Sequence, residues 1–211
     1  MAAIAVVDYD MGNLHSACKA LEKLGATPKI TDSPADLDRA DAIVLPGVGA
    51  FDPAMQHLRS RHLEAPITAA IAQGKPFLGI CLGLQILFER SEEGQEPGLG
   101  IIPGCVRRFR SEPGLTIPHM GWNQLQLTQP HHPLWQQLSS DPFVYFVHSY
   151  YVDPADPTIR AATTTHGSQT VTAAIAWDNL SAVQFHPEKS STNGLQILAN
   201  FVSQVRALAA V

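Results

Sequence analysis

The sequence predicts an α/β protein, one domain over residues 1–211, with a mixed, mostly parallel sheet, flanking helices and a β-rich central section. Three observations predict it. The first part of the chain alternates apolar strand-like runs with amphipathic helical stretches. The middle, from about Gly100 to Gln184, carries strand-like segments with little helix between them. The end returns to helical periodicity. Repeated βα units of this length imply a parallel sheet covered by helices on both faces.

Taken in order, IAVVDY (4–9) reads as a buried strand. NLHSACKALEKLG (13–25) follows, with Leu14, Ala17, Cys18, Leu21 and Leu24 on one helical stripe and Gly25 as its stop, so Cys18 is expected in the core. PKIT (28–31) and DAIVLP (41–46) are strands. Helical patterning runs from about Phe51 to Gln73, interrupted near Pro66, and KPFLGI (75–80) is the next strand. LGLQILFERS after Cys81 reads as a helix. IIPGCVRRF, FVYFVHSYYV, TIRAATTT, TVTAAIAW and LSAVQF supply the β-rich section, and GLQILANFVSQVRALAAV the final helix.

Composition narrows the function. With 45% hydrophobic and 16% charged residues this is an ordinary globular chain. A net charge of -5 argues against a nucleic-acid or anionic-membrane surface. Arg107, Arg108 and Arg110 cluster, and read as a solvated strand face. The N-terminus has no signal-peptide pattern, and no run approaches the roughly 18 apolar residues of a membrane span. Three cysteines without framework spacing suggest free thiols in a reducing, cytoplasmic compartment. No metal-ligand set or nucleotide fingerprint is present, so no cofactor is expected.

The chemistry centres on Gly79-Ile80-Cys81-Leu82-Gly83. This is the G-x-nucleophile-x-G form, placed after a predicted strand and before a predicted helix. A nucleophile there stands on a sharp turn, so the residues two away must be small. The helix N-terminus favours thiolate, and the N–H of Leu82 points at an oxyanion formed beside the sulfur. By itself the pattern fits a buried structural cysteine equally well; Cys105, without this context, reads as structural.

A thiol nucleophile needs a base and an orienting group. His131 and His132 lie in a loop, His57, His62 and His166 in polar surroundings, and His15 on the first helix. His186, in AVQFHPEKS, ends a strand, and Pro187 favours an extended backbone there. If the chain stays extended, Glu188 at i+2 falls on the same side and can accept Nδ1–H, which leaves Nε2 for the thiol; without a nucleophile in the chain, a surface His-Pro-Glu turn at a strand end fits better. LPGVGAFD (45–52) adds a strand followed by glycines. It lacks the third glycine of a dinucleotide loop and the lysine of a P-loop. Its N–H groups suit the second half of an oxyanion hole, although an ordinary glycine turn fits as well.

Together, PGVGAF, GICLGLQ and QFHPEKS resemble the class I glutamine amidotransferases, in the family's order and over most of the chain. The resemblance implies that Cys81 attacks the side-chain amide of glutamine, with His186 as acid/base and Glu188 as its partner. It implies oxyanion donors at Val48, Gly49 and Leu82, and contacts to glutamine from Gly49, Gln85, Ser149 and Tyr150. PHMGWN (118–123), YFVHSYYV (145–152), DYDMGNLHS and Lys189 resemble the branch that serves a (β/α)₈-barrel synthase subunit in histidine biosynthesis. Leu84 stands where that branch is expected to carry Met, a nearly volume-conserving exchange. The branch implies a heterodimer in which Asn13, Met120, Trp122 and Lys189 face the barrel, ammonia passes between subunits, and activity rises when the partner binds its ligand. Trp122 also reads as a half-buried core aromatic. Three rivals stand beside this reading: a glutaminase serving another synthase, a thiol hydrolase of peptides or esters, and an inactive subunit that only binds a barrel.

Overall fold

A computed structural model describes residues 2–209. The chain begins with β1 (Ala3–Val7), α1 (Leu14–Lys23), β2 (Thr27–Thr31), α2 (Pro34–Arg39) and β3 (Ala42–Gly47). It continues through α3 (Phe51–Ser60), α4 (Glu64–Ala72), β4 (Phe77–Cys81), α5 (Leu82–Gln85), β5 (Phe88–Ser91) and β6 (Ile102–Arg108). Next come β7 (His119–Gln124), β8 (Gln126–Leu127), β9 (Phe143–His148), β10 (Tyr150–Pro154), β11 (Arg160–His166), β12 (Gln169–Trp177), β13 (Leu180–Val183) and α6 (Ser191–Leu208).

The main sheet runs β2-β1-β3-β4-β13-β12-β11-β8. Its first five strands are parallel and its last three antiparallel, the mixed sheet expected. Alternation along β1 sends Ile4 and Val6 to one face, with α1 and α6, and Ala5 and Val7 to the other, with α2, α3 and α4. Two small sheets, β10-β6-β5 and β7-β9, flank it. Cys18 and Cys105 are buried, and Arg107, Arg108 and Arg110 are exposed, as their patterns imply. No described helix is long and apolar enough to cross a membrane.

Three elements differ from expectation. The helix expected from Leu82 onward is one turn, α5, followed by strand β5. Leu82, Leu84, Ile86, Leu87 and Phe88 are all buried, so the segment has no polar face for a surface helix, and β5 pairs with β6 instead. The helical interruption falls before Pro66, between Ser60 and Glu64, because Pro66 sits in the first turn of α4, where no intrahelical N–H is lost. FVYFVHSYYV breaks at Ser149 into β9 and β10, which belong to different sheets.

What this arrangement positions is the carboxyl edge of the parallel strands. Gly47 at the end of β3 pairs with Cys81 at the end of β4, and Val183 at the end of β13 pairs with Ile80. The PGVGAF, GICLGLQ and QFHPEKS segments therefore leave the sheet side by side, where open α/β sheets bind ligands.

Candidate active site

Cys81 is the last residue of β4 and the N-cap of α5, with φ +56° and ψ -108°. A non-glycine residue in the left-handed region is strained, and here the strain turns the side chain out of the ladder. The flanking glycines answer to close approach. A Cβ on Gly83 would sit 1.8 Å from the Leu45 carbonyl oxygen, and one on Gly79 would sit 2.8 Å from that of Gly83. Leu82 opens α5, so its N–H is among those that a helix start leaves without an intrahelical partner.

A cleft of about 320 Å³ lies over this turn. Val48, Gly49, Cys81, Leu82, Gln85, Ser149, Tyr150 and His186 are among the residues that line it. His186 Nδ1 donates to Glu188 Oε1 at 2.8 Å, with both side chains 3% exposed. The backbone route differs from the one expected. His186 itself is extended, with φ -100° and ψ 96°, as the following proline implies, but the chain does not stay extended: Pro187–Lys189 is a turn of 3₁₀ helix. The Ser190 hydroxyl and the Lys189 N–H both donate to the His186 carbonyl, and this closes the turn and brings the carboxylate under the ring. His186 N–H is tied to the Tyr145 carbonyl of β9. Among the described residues, Nε2 is left buried and without a hydrogen-bond partner. Burial alone would lower the His186 pKa; the facing Cys81 sulfur and the Glu188 carboxylate outweigh it and push the imidazole up to about 9.

The Gly47–Gly49 loop carries a more specific feature. Val48 N–H donates to the Met11 carbonyl at 2.7 Å, so this expected oxyanion donor is engaged elsewhere. Gly49 has φ +106°, and a Cβ there would meet the Met11 side chain at 2.8 Å. Gln85 is buried and uses both amide hydrogens inside the protein, on the Tyr150 carbonyl and on Gln184 Oε1, each at 3.1 Å. Its Oε1 is the polar atom it can offer a ligand.

Glu93, which the sequence pattern does not single out, also lines the cleft. Its carboxylate caps α3 by accepting the Phe51 N–H at 2.9 Å. It lies past the expected helix, in a turn whose position depends on β5 forming, so no periodicity marks it. Met120 and Trp122 share one face of β7 and are 63% and 53% exposed, and Trp122 belongs to neither core. Val48 and Lys189 are exposed, and Asn13 is the half-buried N-cap of α1.

The glutamine amidotransferase class-I family model matches residues 5–205. The imidazole glycerol phosphate synthase subunit HisH of Microcystis aeruginosa is 79% identical over the whole of both chains. That of Gloeothece citriformis is 77% identical over 99% of each. In fold, the chain is similar to a PurLQS structure from Thermotoga maritima, with TM-score 0.75 and 21% identity over 97% of this chain and 99% of that one. The chain belongs to the class I glutamine amidotransferases, within the family of the HisH subunits of imidazole glycerol phosphate synthase.

Proposed function

We propose that this chain is the glutaminase of an imidazole glycerol phosphate synthase, hydrolysing glutamine to glutamate and ammonia through Cys81, His186 and Glu188. The ammonia passes to a (β/α)₈-barrel subunit that makes imidazole glycerol phosphate and AICAR in histidine biosynthesis, in the cytoplasm. The observation that carries this reading is the buried His186–Glu188 pair, its free Nε2 turned to the cleft that holds a strained Cys81.

In this reading the Cys81 proton rests on His186, and the thiolate attacks the glutamine amide carbon. The N–H groups of Leu82 and of the Gly47–Gly49 loop hold the resulting oxyanion. Collapse breaks the C–N bond as His186 gives its proton to the departing nitrogen. Water then attacks the thioester, losing a proton to His186, and glutamate leaves as the sulfur is restored. Glu93 offers a carboxylate to the substrate ammonium. Ser149 and Tyr150 face its carboxylate end. Glu93→Gln is therefore expected to raise KM about tenfold while kcat changes little. A parental KM would remove Glu93 from the substrate site.

The Val48–Met11 hydrogen bond supports a coupling role for this loop: the hole is complete only when that N–H is released, and the glycines on either side of Val48 make a peptide rotation sterically cheap. Met120, Trp122, Asn13 and Lys189 form the face proposed for the barrel. The decisive measurement is glutamate release, first by this chain alone and then with a barrel subunit carrying its nucleotide. A large rise with the liganded partner is expected, falling at least about 10⁴-fold in Cys81→Ala. No glutamate under either condition, with the thiol intact, would overturn the reading.

A further inference from the structure

We infer that Gln184 is a positioning residue for the nucleophile, an amide whose N–H points at the Cys81 sulfur because its oxygen is taken by Gln85, whose own direction is fixed by the Tyr150 carbonyl. This rests on the proposed role of Cys81. Gln184 follows β13, is fully buried, and lies 3.6 Å from Sγ through Nε2. Sulfur's large radius puts that distance within hydrogen-bonding reach.

Amide orientation is ambiguous in isolation, but here the neighbours decide it. At the far end, Asn123 Oδ1 accepts the Gln124 N–H at 2.8 Å. Asn123 Nδ2 therefore donates, to the Thr165 carbonyl at 2.8 Å and to His119 Nε2 at 3.1 Å. His119 must then carry its proton on Nδ1, which donates to His148 Nε2 at 2.9 Å. His148 in turn donates from Nδ1 to the Tyr150 carbonyl at 2.9 Å. Burial pushes His119 down to about 4 and His148 down to about 3, so both rings stay neutral and keep these tautomers at neutral pH.

Gln85 reaches the same Tyr150 carbonyl with one amide hydrogen and gives the other to Gln184 Oε1. An amide whose oxygen is taken by a donor can present only N–H at its other end. The sulfur consequently faces a donor on the Gln184 side and His186 on the other. The Gln184 donor restrains the side chain, and its hydrogen bond strengthens when the sulfur is the attacking thiolate. Gln184 does not line the cleft, so it acts through Cys81 and not on glutamine.

The test compares Gln184→Leu and Gln184→Met with the parent, each in the full chain. Both are close to glutamine in volume and neither carries a donor for the sulfur. We expect Cys81 alkylation by iodoacetamide at pH 8 to slow about tenfold in both variants. Glutamine turnover with the liganded barrel subunit should show kcat down by a similar factor and KM within about twofold. If Gln184→Met alkylates and turns over like the parent, the inference fails, and it fails equally if KM rises while kcat holds. Should the Met variant not fold, the Leu variant decides alone. Cys81→Ala separates the two levels: activity that survives it sinks the proposed function, whereas activity lost in Cys81→Ala but unchanged in Gln184→Met sinks only this inference.

Discussion

Glu188→Gln is expected to lower kcat for glutamine hydrolysis by about 10³- to 10⁴-fold, the scale seen when a buried carboxylate that orients a catalytic histidine loses its charge. The geometry should persist, because glutamine fills the same space at 2.8 Å from Nδ1. The electrostatics should not. His186 is held near 9 against the opposing effect of burial by Cys81 and Glu188 together, and removing one of them lets burial reclaim the ring. A lower imidazole pKa means less imidazolium to protonate departing ammonia at neutral pH, so the alkaline limb of the pH profile should also move to lower pH. The sign for stability follows by linkage. A group raised from 6.5 to about 9 on folding stabilises fully below 6.5, and that contribution is lost as pH rises through about 9. Thermal unfolding followed from about pH 6 to 10 should show this decline in the parent and a weaker one in the variant. An unmoved profile with parental kcat would mean that Glu188 is only a structural partner.

The parts of this site that are legible in the sequence are those carried by adjacent residues. The turn at Cys81 can be read because its glycines, its strand and its thiol lie within a few positions. The His186–Glu188 pair can be read for the same reason: His186 is extended, as Pro187 implies, although the chain then turns as 3₁₀ helix instead of staying extended. Pro fixes φ for either conformation, and the choice is made by the Ser190 hydroxyl, a contact that the local pattern does not announce. Glu93 and Gln184 are of another kind. Glu93 enters the cleft only because Phe88–Ser91, which locally reads as the end of a helix, pairs as β5 with β6, a tertiary outcome that overrides the local pattern. Gln184 acquires meaning from its hydrogen bond with Gln85, 99 positions away along the chain. The fold shows the same division: the βα units announce themselves by period, whereas the split of FVYFVHSYYV into two sheets depends on partners in β6 and β7.

Gly83→Ala is a test in which two local rules predict opposite signs, and the distances say which should win. Gly83 lies within α5 and has no positive φ, so alanine suits its backbone and by helix propensity alone would stabilise by about 1 kcal/mol. Packing opposes this. The added carbon would lie 1.8 Å from the Leu45 oxygen and 2.9 Å from the Leu45 carbonyl carbon, and these are backbone atoms of a fully buried strand. Such atoms cannot turn aside as a side chain could. Either β3 shifts, with its neighbours β1 and β4, or α5 lifts away from the sheet. Overpacking of this kind costs about 3 kcal/mol, which exceeds the propensity gain and corresponds to a melting temperature roughly 6 to 12 °C lower for a chain of this size. The displacement falls on the turn that holds Cys81, and a 1 Å error at a nucleophile is worth about 10²-fold in rate, so activity should fall with stability. Gly74→Ala is the control. Gly74 has φ +83° but nothing among the described residues within 4 Å of the added carbon, so alanine there meets only backbone strain of about 1 to 2 kcal/mol and should leave turnover intact. If Gly83→Ala melts and turns over like the parent, the tight approach of α5 to β3 is not what requires glycine beside the nucleophile.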